Sequence, residues 1–349
     1  MNKSSAASSS STDVVIIGAG PIGLFAVFQC GMLGFECHVV DVLDVAGGQC
    51  AALYPEKPIF DIPAYPNIES IELVDQLLAQ AAPFHPHYHL GHPVLRLEPI
   101  DSTDEANRGW RVGLGGGGGV ITAKAVIIAA GSGAIGPVRL PLDGAEDFEG
   151  ESLFYVVRRK SDLAGKRVVI AGGGDSAVDW ALALDGVADY ISVVHRRKKF
   201  RAAPENVRKM YEAADAGRLE MVIPYQMKSL QGTGSQLESV TAATLDGDEK
   251  TLPADVLLAF FGLANNLGPI GEWGLNLDNN HVIVRPDSCA TNLPGVFAVG
   301  DIASYPGKLK LILTGFSEAA MAAHAIHPLI NPDHELHFEY STTKGVPGD

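Results

Sequence analysis

At 349 residues the chain is long for one hydrophobic core and comfortable for two domains, and 46% hydrophobic against 19% charged residues makes it globular. A formal net charge of −15 argues against nucleic acid or an anionic membrane surface as partner. The four cysteines (Cys30, Cys37, Cys50, Cys289) show neither a CxxC pair nor a metal-ligand spacing, which excludes a disulfide-stapled secreted domain and points to a reducing, cytoplasmic compartment.

Residues 1–12, "MNKSSAASSSST", are Ser/Ala-rich without the apolar stretch of a secretory signal, and read as a disordered tail. No apolar run is long enough to span a bilayer. The next stretch, "DVVIIGAGPIGLFAVFQCGMLGFECHVVDV", predicts a strand over Val14–Ile17, a glycine turn, a helix from Pro21 to about Met32 and a strand over Cys37–Val40. Gly18, Gly20 and Gly23 form GxGxxG between strand and helix. The first glycine makes the tight turn, the second lets a pyrophosphate approach the backbone, and the third permits close helix–strand packing. The helix N-terminus supplies N–H groups and a favourable dipole. Asp41 follows Gly18 by 23 residues at the end of the second strand, where a carboxylate can bind ribose hydroxyls.

"FHPHYHLGHP" (84–93) sets His85, His87 and His89 on alternate residues, as one strand face would; exposed polar positions explain it better than a metal site. "GLGGGGGV" (113–120) precedes a strand-like segment, so it is a turn and no phosphate cradle. "AVIIAAGSGA" (125–134) is a buried strand ending in glycines.

Residues 166–197 repeat the opening plan. Gly172, Gly174 and Ala177 form GxGxxA after a strand over Val168–Ala171. Twenty-three residues beyond Gly172 stands His195, the counterpart of Asp41, with Arg196 and Arg197 directly after it. An acid at this place suits a free 2′-hydroxyl; arginines suit a 2′-phosphate, which a guanidinium can grip bidentately. Arg196, Arg197 and Arg201 are therefore assigned to the 2′-phosphate of NADPH, and Lys198 and Lys199 to solvent or a wider positive rim. "GVFAVGD" (295–301) is one more apolar strand, followed by the helical pattern "TGFSEAAMAAHAI". Two dinucleotide units in one chain imply one flavin and one nicotinamide, and the acid-terminated first unit suits FAD.

The motifs "GAGPIGL", "GGQ" (47–49), "AAGSGA", "GGGDSAVDWAL", "HRR" with a later arginine, and "VFAVGD" resemble those of the thioredoxin-reductase-like flavoproteins, over nearly the whole chain after residue 12. Thioredoxin reductases carry a redox CxxC just before the second fingerprint, where this chain has "ESLFYVVRRKSDLAGKR" and no cysteine. "ALYPEK" (52–57) and the tail "FEYSTTKG" (338–345) are similar to the ferredoxin–NADP reductases of the same structural type.

That resemblance implies an α/β fold of two Rossmann-like domains, with an NADPH domain (140–262) inserted into an FAD domain (13–136 and 265–349). It implies FAD contacts at Gln49, Val94, Ile135, Asp301, Ser341 and Thr342, with Tyr54 and Tyr340 stacking on the two flavin faces. It also implies that the "TGFSEAAMAAHAI" helix aims its positive end at the flavin. Segments Gly136–Leu142 and Gly262–Asn266 are expected as hinges, the partner as ferredoxin or flavodoxin, and the assembly as a homodimer. No acid–base residue is required. Arg158, Arg159 and Lys160, or Lys308 and Lys310, are candidates for docking an acidic protein, with plain solvated charge the competing reading. Two other functions stay open, a flavoprotein disulfide reductase with an unrecognised thiol and a non-catalytic nucleotide sensor.

Overall fold

The structure, a computed structural model, describes residues 9–100, 108–157, 159–336 and 341–346. The chain forms two compact units, residues 1–134 with 265–349 and residues 135–264.

In the first unit β1 (Ser9–Ile17) leads through a glycine turn into α1 (Pro21–Met32) and β2 (Cys37–Asp41). Next come α2 (Gly48–Ala52), α3 (Ser70–Ala81), β3 (His87–Leu90), β4 (Val94–Ile100), β5 (Gly109–Leu114) and β6 (Val120–Ile128). Strands β3, β2, β1 and β6 run parallel in that order, and the antiparallel pair β5–β4 continues the sheet beside the first half of β6. Val14–Ile17 is apolar without alternation because both faces of this central strand are covered, one by α1 and the last long helix, the other by Val94, Leu97, Trp110 and Val112.

β1 begins at Ser9, five residues before the strand start expected from the apolar run. The expected tail therefore loses Ser9–Thr12 to the sheet. Its neighbour decides this: β6 extends to Val120 and pairs Ser9 with Val120 and Thr12 with Ala123, which supplies a ladder to residues with no apolar signal of their own. The Thr12 hydroxyl adds a bond to the Glu36 carbonyl at 2.8 Å.

The second unit holds β7 (Leu153–Phe154), β8 (Arg167–Gly172), α4 (Asp175–Ala183), β9 (Tyr190–Val194), α5 (Pro204–Asp215) and β10 (Glu220–Val222). A meander β11 (Gln226–Thr233), β12 (Gln236–Ala243) and β13 (Glu249–Pro253) precedes β14 (Val256–Phe260). β7, β14, β8, β9 and β10 make a fully parallel sheet, with α4 and α5 on one face and the antiparallel meander on the other. The chain then returns to the first unit, where β15 (Val296–Ala298) pairs with the second half of β6 and α6 (Ile312–Ile330) packs on α1; α7 (Ser341–Lys344) closes the described chain. Among the described residues no helix is long and apolar enough to cross a membrane.

Candidate functional site

Each unit carries one glycine turn at the carboxyl end of its central strand, the place where open α/β sheets receive ligands. In the first unit Gly18 sits at φ +112°, and a Cβ there would lie 2.3 Å from the Ala129 carbonyl oxygen. A Cβ on Gly23 would lie 1.9 Å from the Gly18 oxygen, so both glycines are demanded by the protein itself. Gly20 is different. Its φ of −72° suits any residue, and the nearest atom to a Cβ would be the Gly48 Cα at 3.9 Å. Nothing in the chain requires glycine there, and the position borders the start of α1. That helix has Gly20 as N-cap, Pro21 next, and neither a capping side chain nor an acid in its first turn, so its amides face the space beside Gly20.

Asp41 closes this side. Its carboxylate accepts the Ala19 amide at 2.6 Å and the Leu43 amide at 2.9 Å, and retains acceptor capacity for a ligand hydroxyl. Burial raises the carboxyl above its ordinary value, and the amides of Leu43, Ala19 and Val42 partly offset that. Half-buried Gln49 brings its amide nitrogen against Gly131, at the glycine-rich end of β6. Tyr54 is half-buried, with the Cys50 thiol donating to its hydroxyl at 4.0 Å and the Lys57 ammonium 6.0 Å from its ring centre. Burial, then Cys50 and then Asp301, push its phenol upward, so Asp301 stands in the same neighbourhood. Val94 is buried in the sheet core with Leu97 and Val112. Ile135 lies in a short strand over Ala134–Pro137, and Ser341 opens α7; their side chains lie outside the described part, and Thr342 is exposed. Tyr340 lies outside the described residues altogether.

In the second unit a Cβ on Gly172 would lie 2.6 Å from the Phe260 oxygen, and Ala177 is fully buried against the strand. Gly174, the middle position, has nothing within 4 Å of a Cβ. The His195 ring lies close against Gly173, where a Cβ would sit 2.1 Å from it. Phe200, buried in an otherwise exposed basic run, anchors the loop with its ring 4.8 Å from that of His195. The Arg201 amide donates to the Gly173 carbonyl at 2.7 Å, which pins Arg201 beside the glycine turn. Arg196, Arg197 and Arg201 are exposed, and among the described residues none has an acidic partner. Burial lowers the His195 pKa, and the neighbouring arginines lower it further, against a bond to the Lys199 carbonyl that raises it.

The model of the pyridine nucleotide-disulphide oxidoreductase family matches residues 12–325. Proteins named ferredoxin–NADP reductase from Paramagnetospirillum magneticum and Rhodospirillum rubrum are 56% and 58% identical, covering 96% and 97% of this chain and 98% and 97% of their own. The chain belongs to the ferredoxin–NADP reductase family. It is an oxidoreductase. Among solved structures, the thioredoxin reductase of T. acidophilum superimposes with a TM-score of 0.77 at 23% identity over 91% of this chain and 98% of its own, which shows the two-domain α/β fold.

The absence of a CxxC pair has its counterpart in the core: all four cysteines are buried and free. Burial pushes the Cys50 thiol up to about 11 and Cys289 up to about 12, so neither is a ready nucleophile. Cys30 and Cys37 are neighbours in the core, a pairing that six intervening residues concealed; the hydrogen bond between them and burial raise Cys37.

Two sequence expectations change. Lys308 is no docking cation: its side chain is 7% exposed and ion-paired with Glu318. Arg159 faces Asp162, Lys310 stands 2.7 Å from the His281 ring, and Arg158 lies outside the described residues. His85 is off the strand, at φ +49° after a 3-10 turn, and the partner of His87 and His89 is His38 of β2. The rings of His87 and His89 lie 4.9 and 5.0 Å from that of His38, and His89 Nε2 is 3.1 Å from His38 Nδ1.

Burial, then His89 and His87, lower the His38 pKa to about 4. The unfolded chain therefore takes up a proton that the folded chain refuses as pH falls from about 6.5 to about 4. Stability is full above that window and is expected to be lost progressively across it. Urea unfolding at a series of pH values checks this; the loss should shrink in His38→Val.

Proposed function

We propose that the chain exchanges electrons between NADPH and a ferredoxin or flavodoxin through FAD, as a cytoplasmic homodimer. The observation that carries this reading is the matched pair of middle glycines, Gly20 and Gly174, where a Cβ would meet only the Gly48 Cα at 3.9 Å or nothing within 4 Å, each with a helix start beside it. The two cradles diverge at the end of the next strand. Asp41 offers a carboxylate to ribose hydroxyls, whereas at the matching place His195 brings no acid and Arg196, Arg197 and Arg201 offer positive charge to a 2′-phosphate.

FAD, when bound, supplies the conversion between a hydride pair and single electrons. The residues of the first unit bind and orient it: Gly18, Gly20 and Gly23 cradle the pyrophosphate, Asp41 holds ribose, and Gln49 and Asp301 hold the ring side. By the family resemblance Val94, Ile135, Ser341 and Thr342 would complete the contacts, and Tyr54 and Tyr340 would cover the ring and exclude water. In the second unit Gly172, Gly174 and Ala177 seat the NADPH pyrophosphate. No side chain needs to act as acid or base. The buried, high-pKa thiols support this reading over a disulfide reductase, and two intact cradles support it over a sensor.

The test is NADPH oxidation with ferredoxin-coupled cytochrome c as acceptor, with NADH in parallel. Rapid turnover that requires ferredoxin and prefers NADPH is expected. Flavin reduced by NADPH with ferredoxin adding nothing would remove the partner from the proposal.

A further inference from the structure

Helix α6 carries one acid toward the interior, and sequence reasoning passed over it. Glu318 is 2% exposed. Its Oε2 accepts the Gly300 amide at 2.7 Å, its Oε1 accepts the Tyr305 hydroxyl at 2.6 Å, and the Lys308 ammonium pairs with Oε1. These three donors come from the segments on either side of Asp301: Gly300 precedes it, and Tyr305 and Lys308 belong to the loop that feeds the start of α6 at Ile312. Lys308 is itself held, with its amide donating to the Tyr305 carbonyl at 3.1 Å and its ammonium 5.4 Å from the Tyr305 ring centre.

The surrounding contacts are tight. A Cβ on Gly315, the first-turn glycine of α6, would lie 2.3 Å from the Ile22 side chain and 3.4 Å from the Gly300 Cα. The start of α1, the Gly300–Asp301 turn and the start of α6 thus meet at one point, and Glu318 is the polar tie between α6 and the Gly300–Lys308 segment. Taking a carboxylate and an ammonium out of water is costly, and apolar residues of the same volume would be cheaper for stability alone. A charged tie has directional bonds that apolar packing lacks.

We propose that Glu318 is a positioning residue. By sharing its carboxylate among Gly300, Tyr305 and Lys308, it fixes Asp301 relative to the start of α6 and so sets how tightly, and at what reduction potential, the flavin is held. This rests on the reading of the first unit as the FAD site.

Two variants separate positioning from mere stability. Glu318→Asp keeps a negative charge for Lys308 but shortens the arm by one methylene and withdraws it from Gly300. Glu318→Gln combined with Lys308→Met removes both buried charges, so no ion is left unpaired. For both, the unfolding temperature of the FAD-free protein, its FAD dissociation constant by fluorescence, and the midpoint potential of the bound flavin are measured. The expected result is near-native unfolding of the FAD-free form, FAD affinity at least tenfold weaker and a displaced midpoint potential. Affinity within threefold of wild type and an unchanged potential in whichever variant folds would overturn the proposal, as would failure of both variants to fold, because Glu318 would then be a stability element only. Wild-type protein that binds no FAD would instead overturn the site reading itself.

Discussion

Replacing Arg196 and Arg197 together by alanine is expected to raise the KM for NADPH about 100-fold while NADH turnover stays within about twofold. Both guanidiniums are exposed and carry no acidic partner among the described residues, so their removal breaks no internal bond and leaves the fold alone. A charge-assisted hydrogen bond contributes roughly 1.5–3 kcal/mol, and exposure puts each arginine at the lower end. Two of them sum to about 3 kcal/mol, and 1.4 kcal/mol is tenfold in affinity. The loss should fall on KM more than on kcat, because the 2′-phosphate is remote from the reacting end of the cofactor. Arg201 is a separate case, since its backbone is tied to Gly173, but its side chain can be truncated without touching that bond. Steady-state kinetics with both nucleotides decide the matter; equal losses for NADPH and NADH would show that the arginines do not read the phosphate.

Gly20→Val is expected to give a folded, colourless protein, whereas Gly23→Ala is expected to be destabilised by at least about 1–3 kcal/mol. The two positions are three residues apart in one motif, and the difference is steric. At Gly20 a side chain enters space that no protein atom fills within 3.9 Å, at a φ that valine accepts. The fold bears no strain, and the methyl groups occupy the ligand's room, so FAD affinity should fall at least 100-fold, about 3 kcal/mol. At Gly23 a methyl lands 1.9 Å from the Gly18 oxygen, which forces α1 away from β1 and disturbs the core of the unit. Overpacking of this kind costs about 1–3 kcal/mol or more. Chemical unfolding together with the visible absorbance of the purified proteins tests both halves. A yellow Gly20→Val protein would place the pyrophosphate elsewhere.

Much of the fold was legible because its signals are local. A strand, a glycine turn and a helix succeed one another within about 20 residues, and α1 over Pro21–Met32 has the bounds the sequence predicts. The residues missed are those whose meaning depends on distant partners. Ser9–Thr12 carry no strand pattern and join the sheet because Val120–Ala123 lie alongside. His38 is one polar residue in an apolar strand until β3 sets His87 and His89 against it. Cys30 and Cys37 read as unrelated thiols and are neighbours across the helix–sheet interface.

The sequence by itself determined the two dinucleotide units and the chemical contrast between them, Asp41 in one and His195 with its arginines in the other. A glycine's steric need and a strand-end charge are properties of a short stretch, and spacing along the chain preserves them. Only the tertiary structure decided which charges work inside. Lys308 and Arg159 look alike as surface cations in sequence, yet one is buried on Glu318 and the other is 70% exposed. Whether a charge is desolvated depends on which segments fold over it, and neighbours along the chain do not reveal those segments.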